Sequence, residues 1–229
     1  MSDHRHLPIV QTDKWGIKGH LTELQQQAYD HFRSVVREEN LNIAKFRVES
    51  LENVSLRFLR ARNFNVDNAL QLLQECVDRK TSLNSSHWAT KKPDECAHCN
   101  VEALKKWYPH AQFGYDKFNR PVLFEHSGAV DGNAIYQMTT LEHLINYHWY
   151  SMETELNAMF ENAPCEAGAD PIISTCVVID LQGFNMHHTS SVVLDHVKAM
   201  VALDNCCYPE VLGKMLVINA PWLAGKWSV

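Results

Sequence analysis

Two apolar segments near the end of the chain restrict its fold more than any other feature. Cys176–Leu181 is an almost continuous apolar run, typical of a strand buried on both faces of a parallel sheet, and Met215–Ile218 is a shorter apolar run that is also predicted as a strand. Between them, a helix is predicted from about Thr189 to Asp204, because apolar residues there recur at helical spacing. Its predicted apolar side contains Val193, Val197, Met200 and Val201. Strand, helix and strand in this order predict a crossover connection between parallel strands.

The residues upstream extend the same alternation. Pro121–Glu125 is predicted as a short strand that follows a turn at Asp116–Asn119. Thr139, with Glu142 three residues later, predicts a capping box at the start of a long helix. The predicted apolar face of this helix contains Leu141, Leu144, Ile145, His148, Met152, Leu156 and Met159, with His148 as a satisfied core histidine. We therefore predict an α/β fold with a mostly parallel, three-stranded sheet and flanking helices.

The N-terminal part is predicted to be helical. Apolar residues from Leu51 to Leu59 recur at helical spacing, Asn63–Asn65 ends this helix, and Asn65 caps the next one. The apolar stripe of that second helix contains Val66, Ala69, Leu70, Leu73 and Val77. The polar stretch Thr81–Asn100 is predicted as a linker. We expect a flexible arm over residues 1–20, an N-terminal helical unit over residues 21–95 and an α/β domain over residues 96–229.

Composition excludes several classes of protein. No apolar run approaches the ~20 residues that span a bilayer, and the first residues lack the apolar core of a secretory signal, so we expect a cytoplasmic protein. The net charge is −6, and residues 111–229 carry 5 Lys and Arg against 13 Asp and Glu. Nucleic acid is therefore not an expected partner, because binding to its phosphates requires clustered basic residues.

The chain carries seven cysteines, an odd number that is typical of reduced cytosolic thiols. Cys96 and Cys99 have the spacing of a metal or redox pair, but no second pair with matching spacing follows. Neither a dinucleotide-binding glycine motif nor a P-loop occurs. We therefore predict no metal site and no cofactor.

A catalytic triad is a weak possibility. Asp180 ends the buried strand and is followed by His187, His188 and Ser190, which would supply the residue types of a hydrolase. The chain has no Gly-x-Ser-x-Gly nucleophile elbow, and the spacing fixes no triad geometry. We therefore predict that the protein is not an enzyme.

Three arginines lie within six residues, at positions 57, 60 and 62. Cations placed this close need carboxylates, helix ends or a phosphate to neutralise them. For Arg57 and Arg60 the spacing favours structural ion pairs on a solvated helix face. Arg62, at the exit of the helix, is explained least well by such pairs.

Four segments resemble the CRAL-TRIO lipid-binding family, in particular the phosphatidylinositol/phosphatidylcholine transfer proteins. They are SLRFLRARNFNVDNALQLL (55–73), DKFNRPVLFEHSGAV (116–130), TCVVIDLQGF (175–184) and CYPEVLGKMLVINAPW (207–222). They occur in the order that the family has. The resemblance implies a helical N-terminal unit on an α/β domain that encloses one lipid or other apolar ligand. Family members bind and exchange lipids and are not enzymes.

The resemblance also implies site residues. An Arg of the Leu-Arg-Ala-Arg motif and the Glu of the Tyr-Pro-Glu motif belong to the headgroup network of members that bind phosphatidylinositol. In this chain they are Arg62 and Glu210. Val211 stands where yeast-type members have arginine, which weakens the expectation of phosphatidylcholine as the ligand. After Pro221 the sequence diverges from the family, so we expect a form that lacks its C-terminal lid.

The expected function is the binding and intermembrane transfer of a phospholipid, with phosphatidylinositol ahead of phosphatidylcholine and transfer impaired in this short form. The protein would be cytoplasmic and would contact membranes transiently. The alternative is a protein-interaction or membrane-recruitment module without lipid cargo.

Overall fold

The computed structural model describes residues 15–43, 45–165, 168–185, 188 and 191–221, without the side chain of residue 192. The longer helices are α1 (Glu23–Glu38), α2 (Leu51–Arg60), α3 (Val66–Ser82), α7 (Gly132–Met138), α8 (Leu141–Tyr150) and α10 (Ser191–Cys207). Shorter helices are α4 (Ser85–Trp88), α5 (Pro93–Ala97), α6 (Val101–Leu104) and α9 (Asn157–Glu161), and a π-helical turn at Ser151–Leu156 joins α8 to α9. The strands are β1 (His110–Tyr115), β2 (Pro121–Glu125), β3 (Thr175–Asp180) and β4 (Leu212–Ile218).

The four strands form one sheet in the order β1-β2-β3-β4. β2, β3 and β4 are parallel, and β1 pairs with β2 in the antiparallel direction. The predicted α/β fold with a mostly parallel sheet is therefore confirmed, but the described residues form four strands and not three. β1 was missed because its sequence, HAQFGY, has neither a continuous apolar run nor regular alternation.

Local side chains set the limits of several elements. The Asn65 side chain caps α3, as predicted, and Asn63 and Phe64 adopt the left-handed conformation that ends α2. The predicted cap of α8 was wrong by one residue, since the hydroxyl of Thr140 accepts the bond from His143. Thr139 is buried instead and donates to the carbonyl oxygen of Ala97.

The predicted linker over Thr81–Asn100 is wrong, because this stretch contains α4 and α5. Its Cys96 and Ala97 are fully buried, and α5 packs against α8. The segment is polar because its helices have only one turn, so few of its positions face the core.

One hydrophobic core joins the N-terminal helices to the last helix. Its buried members include Phe32 of α1, Phe58 of α2, Leu73 of α3, Trp149 of α8 and Leu203 of α10. The division into an arm, a helical unit and an α/β domain stays a prediction. In the described part of the chain, no helix combines the length and apolar character needed to cross a bilayer.

The connection from α10 to β4 is shorter than predicted. α10 continues to Cys207 and β4 begins at Leu212, so the tyrosine, proline and glutamate of the motif lie in a tight turn, Tyr208–Val211. Gly213 lies inside β4, where a Cβ atom would come within 2.8 Å of the Ser174 side chain. The turn therefore connects two long elements directly.

Candidate functional site

The turn Tyr208–Val211 is held in place by an arginine of α2. Arg57 donates from Nε to Oε1 of Glu49 at 2.6 Å, from Nη2 to Oε2 at 2.9 Å, and from Nη1 to the carbonyl oxygen of Pro209 at 2.7 Å. The side chains of Arg57 and Glu49 are only 1% and 0% exposed. The expected ion pair is therefore present, but the expected solvated setting is wrong, because the pair is part of the core.

Arg60 pairs with the glutamate of the turn. Its Nε lies 3.4 Å from Oε2 of Glu210, and its Nη1 donates to the carbonyl oxygen of Gly16 at 3.2 Å. Burial lowers the pKa of Arg60, and the Glu210 carboxylate opposes that effect. Glu210 has a φ of +63° and its side chain is 42% exposed, so the carboxylate stands at the protein surface.

Arg62 lies two residues after Arg60, beyond the end of α2. Its Nη1 donates to the carbonyl oxygen of the neighbouring Ala61 at 2.8 Å. The structure thus places Arg60 beside Glu210, and the headgroup role expected for Arg62 and Glu210 stays a prediction. Arg57 and Arg60 are three residues apart and therefore lie on one helix face. This spacing could have indicated that Arg60, like Arg57, lies next to the turn. Val211, the departure from the family pattern, is buried in the core.

The two elements joined by the turn, α10 and β4, carry exposed apolar side chains. They are those of Leu194, Val197 and Val201 of α10 and Leu212, Met215, Leu216, Val217 and Ile218 of β4, all of which are exposed. We call these eight residues the apolar surface. The α10 members are spaced as one helix face, and every described residue of β4 is exposed. A large group of exposed apolar side chains next to polar groups is typical of a binding site.

Hydrogen bonding and register show which face of the sheet lies toward α10. The ring of Tyr108 packs edge-on against the ring of His196 on α10, with 5.4 Å between the ring centroids. The Tyr108 hydroxyl donates to Oε2 of Glu125 at 3.3 Å. Glu125 is the register partner of Ile179, and Ile179 is the partner of Val217. Paired residues of neighbouring strands point to the same side. Val217 therefore lies on the face toward α10, and Leu216 lies on the opposite face.

Three histidines lie between the sheet and helices α8 and α10, and we call them the histidine cluster. The imidazole of His110 is 2.8 Å from the carbonyl oxygen of Tyr108 and 2.9 Å from the hydroxyl of Tyr147. His148 is hydrogen-bonded at 2.7 Å to Asp204, so its prediction as a satisfied histidine is confirmed. The third member is His196, whose Nδ1 is buried and has no hydrogen-bond partner among the residues described.

The pKa values of the three histidines are shifted in different directions. Burial lowers the pKa of His110, and burial together with the charges of His148 and His110 lowers the pKa of His196 to about 4. Burial acts in the same direction on His148, but the Asp204 carboxylate outweighs it and raises the pKa of His148. Between pH 4 and 6.5, His196 therefore favours the neutral form in the folded protein.

We expect His196 to lower the free energy of unfolding at acid pH. The pKa of His196 is depressed from 6.5 to about 4, so its contribution to stability is fully present above pH 6.5 and is lost as pH falls from 6.5 to 4. His196→Gln should reduce the loss of unfolding free energy between pH 7 and pH 5 by about 2 kcal/mol. Urea denaturation at both pH values measures it. His143→Gln is the control, and equal pH dependence of His196→Gln and the unchanged protein would contradict the expectation.

The triad residues do not come together in the described part of the chain. Oδ1 of Asp180 accepts from Nδ2 of Asn219 at 2.8 Å and from the backbone of Gln182 at 2.9 Å, and these bonds lower the pKa of Asp180. Nδ1 of His188 lies 3.1 Å from the backbone nitrogen of Asn185. His187 and Ser190 lie outside the described residues. Asp180 thus joins the end of β3 to the end of β4, and His188 bonds within its own loop.

Cys96 and Cys99, the two cysteines with the spacing of a metal or redox pair, have raised pKa values in the structure. The thiol of Cys96 donates to the carbonyl oxygen of Trp88, and burial raises its pKa to about 11. Burial also raises the pKa of Cys99. Over the residues that the structure describes, no group of three or more His, Cys, Asp or Glu side chains has a geometry that could hold a metal ion.

Two family models match this chain. Residues 106–226 match the CRAL/TRIO domain, and residues 17–75 match the CRAL/TRIO N-terminal domain. These ranges include all four segments on which the sequence resemblance is based.

Curated relatives and a solved structure agree with these matches. The Sec14 cytosolic factor of Schizosaccharomyces pombe is 30% identical over 90% of this chain, which spans 68% of that protein. The phosphatidylinositol/phosphatidylcholine transfer protein SFH12 of Arabidopsis thaliana is 29% identical over 73% of this chain, which spans 30% of it. The crystal structure of Sfh5 superimposes with a TM-score of 0.61 at 17% identity, over 90% of this chain and 74% of Sfh5, and so shows the fold.

Proposed function

We propose that this chain, which belongs to the CRAL/TRIO family, binds and transfers phospholipid, with phosphatidylinositol as its preferred ligand. The observation that carries the proposal is the meeting of the apolar surface with the charged turn that holds Glu210. A phospholipid has the same two parts, acyl chains and a charged, polar headgroup. The names of the similar proteins, which include phosphatidylinositol/phosphatidylcholine transfer proteins, support this choice of ligand.

The size of the apolar surface fits acyl chains. A seven-residue strand such as β4 extends about 23 Å, and the hydrocarbon of one leaflet is about 15 Å thick. Each methylene group removed from water contributes about 0.8 kcal/mol. Chains lying along β4 and α10 would therefore offset much of the free energy of leaving a membrane.

The charged turn fits the headgroup. The exposed carboxylate of Glu210 can accept hydrogen bonds from inositol hydroxyls, while the guanidinium of Arg62 can bind the phosphate. Arg60 would hold Glu210 in position through the ion pair already present. In this proposal Arg62 and Glu210 contact the ligand, and Arg60 positions Glu210.

We further propose that this chain transfers lipid poorly. Every described residue of β4 is exposed, so acyl chains on the apolar surface would keep one side in contact with water. Their transfer from the membrane would then gain only part of the hydrophobic free energy. The expected result is binding without full-rate transfer of phosphatidylinositol between vesicles by residues 1–229, and transfer at the rate of the fission yeast relative would contradict it.

The proposed activity is binding and exchange rather than catalysis. The protein would act in the cytoplasm with transient contact to membranes, without a cofactor and without nucleic acid. The cytosolic name of the fission yeast relative supports this location.

Native mass spectrometry of the purified chain tests the proposal. We expect a species heavier than the apoprotein by the mass of one phospholipid, and lipid extraction should identify phosphatidylinositol. Addition of detergent should release the ligand, and a sample incubated with phosphatidylinositol vesicles should regain it. A chain that stays lipid-free after incubation with phosphatidylinositol and with phosphatidylcholine would contradict the proposal.

The exchange Glu210→Lys tests the headgroup contact. We expect phosphatidylinositol binding to fall at least about tenfold, because a carboxylate acceptor is replaced by a cation beside Arg60. The free energy of unfolding should change by less than about 1 kcal/mol, since exposed ion pairs contribute little. Vesicle-binding titrations and urea denaturation measure the two effects. Glu102→Lys, at a side chain that is 80% exposed, is the control. A loss of stability as large as the loss of binding would make Glu210 structural.

The exposed β4 supports a second candidate function. A partner segment could add to an exposed strand or cover its apolar side chains, which would make the chain a protein-interaction module. The same native mass spectrum separates the two proposals. Lipid-free protein that binds no vesicles would favour the module, and co-purified phospholipid would favour the carrier.

A further inference from the structure

A polar cleft lies between the loop that follows α1, the junction of α3 and α4, and the π-helical turn after α8. Its volume is about 570 Å³, within the range of about 300 to 1,000 Å³ that is usual for small-molecule sites. Of the residues that line it, Val77 and Ala89 are apolar, and the other ten are polar or charged. Among the described residues, the cleft shares none with the apolar surface, and neither Arg62 nor Glu210 lines it. The cleft therefore suits a polar ligand and not an acyl chain.

Two lysines supply unused N–H donors at one end of the cleft. Lys45 and Lys80 also line a second, much smaller cavity of about 10 Å³, so their side chains border the same region. Lys45 donates to the carbonyl oxygen of Glu49 at 2.8 Å, and Lys80 donates to Oε1 of Glu153. In the described part of the chain, no carboxylate lies within ion-pair distance of Lys45. Because an ammonium group has three N–H donors, both lysines keep donors for an anion.

Hydroxyl, amide and carboxylate groups line the rest of the cleft. Ser85 is only 3% exposed, and its hydroxyl has no hydrogen-bond partner among the residues described. The hydrogen bonds that the Glu153 side chain accepts within the described structure both end on Oε1, so Oε2 is available as an acceptor. Asn157, also buried, accepts from the backbone nitrogen of Arg47 at 2.8 Å and donates to the carbonyl oxygen of Glu153 at 2.9 Å. These two bonds fix the loop after α1 to the π-helical turn, so this wall of the cleft is preformed.

We propose that this cleft binds the phosphate monoester of a polyol. The phosphate pairs with Lys45 and Lys80, and the hydroxyls of the polyol bond to Ser85 and to Oε2 of Glu153. The same chemistry occurs in soluble sugar phosphates and in the headgroup of phosphatidylinositol 4-phosphate, and binding to vesicles separates these two sources. The inference does not rest on the lipid function proposed above.

The charges in the cleft favour a monoester over a diester. At neutral pH a phosphate monoester carries a charge of about −1.5 to −2 and has three free oxygens that accept hydrogen bonds. A diester has a single negative charge and fewer free oxygens, so it would leave donors of Lys45 and Lys80 without an acceptor. The carboxylate of Glu153 repels a second phosphate and accepts from a hydroxyl instead. A ligand with one phosphate and several hydroxyls therefore fits best.

Isothermal titration calorimetry of the full chain tests the proposal. We expect saturable binding of glucose 6-phosphate, binding of inorganic phosphate that is about tenfold weaker, and no binding of glucose. A second arm compares phosphatidylcholine vesicles with and without phosphatidylinositol 4-phosphate. If glucose 6-phosphate does not bind but vesicles with this lipid bind more tightly, the proposal is supported with the headgroup as the source. The absence of both effects would overturn it, and so would inorganic phosphate that binds as tightly as glucose 6-phosphate.

Variants locate the ligand in the cleft. Lys45→Gln should weaken binding of the phosphorylated probe about tenfold, because a charged donor is lost, and Lys45→Arg should keep it within about threefold. Ser85→Ala should weaken binding of glucose 6-phosphate and leave that of inorganic phosphate unchanged, since it removes only a contact to a hydroxyl. Lys105→Gln, just after α6 and outside the cleft, removes the same charge and should have no effect. Urea denaturation shows whether each variant is folded, and a folded Lys45→Gln protein with unchanged affinity would contradict the assignment.

Discussion

Val217→Asp should weaken phospholipid binding about a hundredfold and leave the protein folded. Val217 is 50% exposed, so the substitution removes few contacts within the protein, and aspartate in a strand costs about 1 kcal/mol at most. In the lipid-bound state, however, the carboxylate would lie against hydrocarbon. Burying a charge without a partner costs several kcal/mol, and 2.8 kcal/mol already corresponds to about a hundredfold in affinity.

Three further variants serve as comparisons for Val217→Asp. Val217→Thr keeps the shape of the side chain and should cost less than tenfold, or about 1 kcal/mol. Leu216→Asp places the same charge on the face away from α10 and should have a smaller effect than Val217→Asp. Leu24→Asp, on α1, changes a leucine that is 77% exposed and should not affect binding. Vesicle-binding titrations compare all four variants, and equal binding by Val217→Asp and the unchanged protein would show that lipid does not lie on this face.

Arg57→Met should lower the free energy of unfolding by about 3 to 5 kcal/mol. Methionine keeps most of the buried volume, but it removes both bonds to Glu49 and the bond to Pro209. The Glu49 carboxylate would remain in the core without its counter-charge. Because single domains are stable by only about 5 to 15 kcal/mol, this change would remove much of the total. Urea denaturation followed by tryptophan fluorescence measures it.

A second substitution in the same protein measures the cost of the unpaired Glu49 carboxylate. Adding Glu49→Gln to Arg57→Met removes the unpaired carboxylate, so the double variant should regain at least about 1 kcal/mol. Glu102→Gln breaks the exposed pair with Lys105 and should change stability by less than about 0.5 kcal/mol. If Arg57→Met costs no more than Glu102→Gln, the pair does not hold the turn in place.

The order of the elements could be predicted because it depends on local patterns. Val177–Ile179 and Leu216–Ile218 were predicted as strands from their apolar runs, and Asn65 was predicted as a cap from its residue type. β1 could not be found in this way, since its residues are held in place by pairing with β2 and not by their own preference. The headgroup role of Arg62 and Glu210 stays a prediction. Glu210 was named from the family resemblance, but the pairing of Arg60 with Glu210 and the burial of Arg57 were not.

The sequence alone determined the class of fold, the family and the type of ligand to expect, because apolar periodicity and four ordered motifs are properties of the chain itself. Only the tertiary structure decided which arginine meets Glu210 and which face of the sheet lies toward α10. Arg57 and Pro209 are 152 residues apart, as the hydrogen bond between them records. Contacts of this kind arise when helices and strands pack together, and no local pattern specifies them.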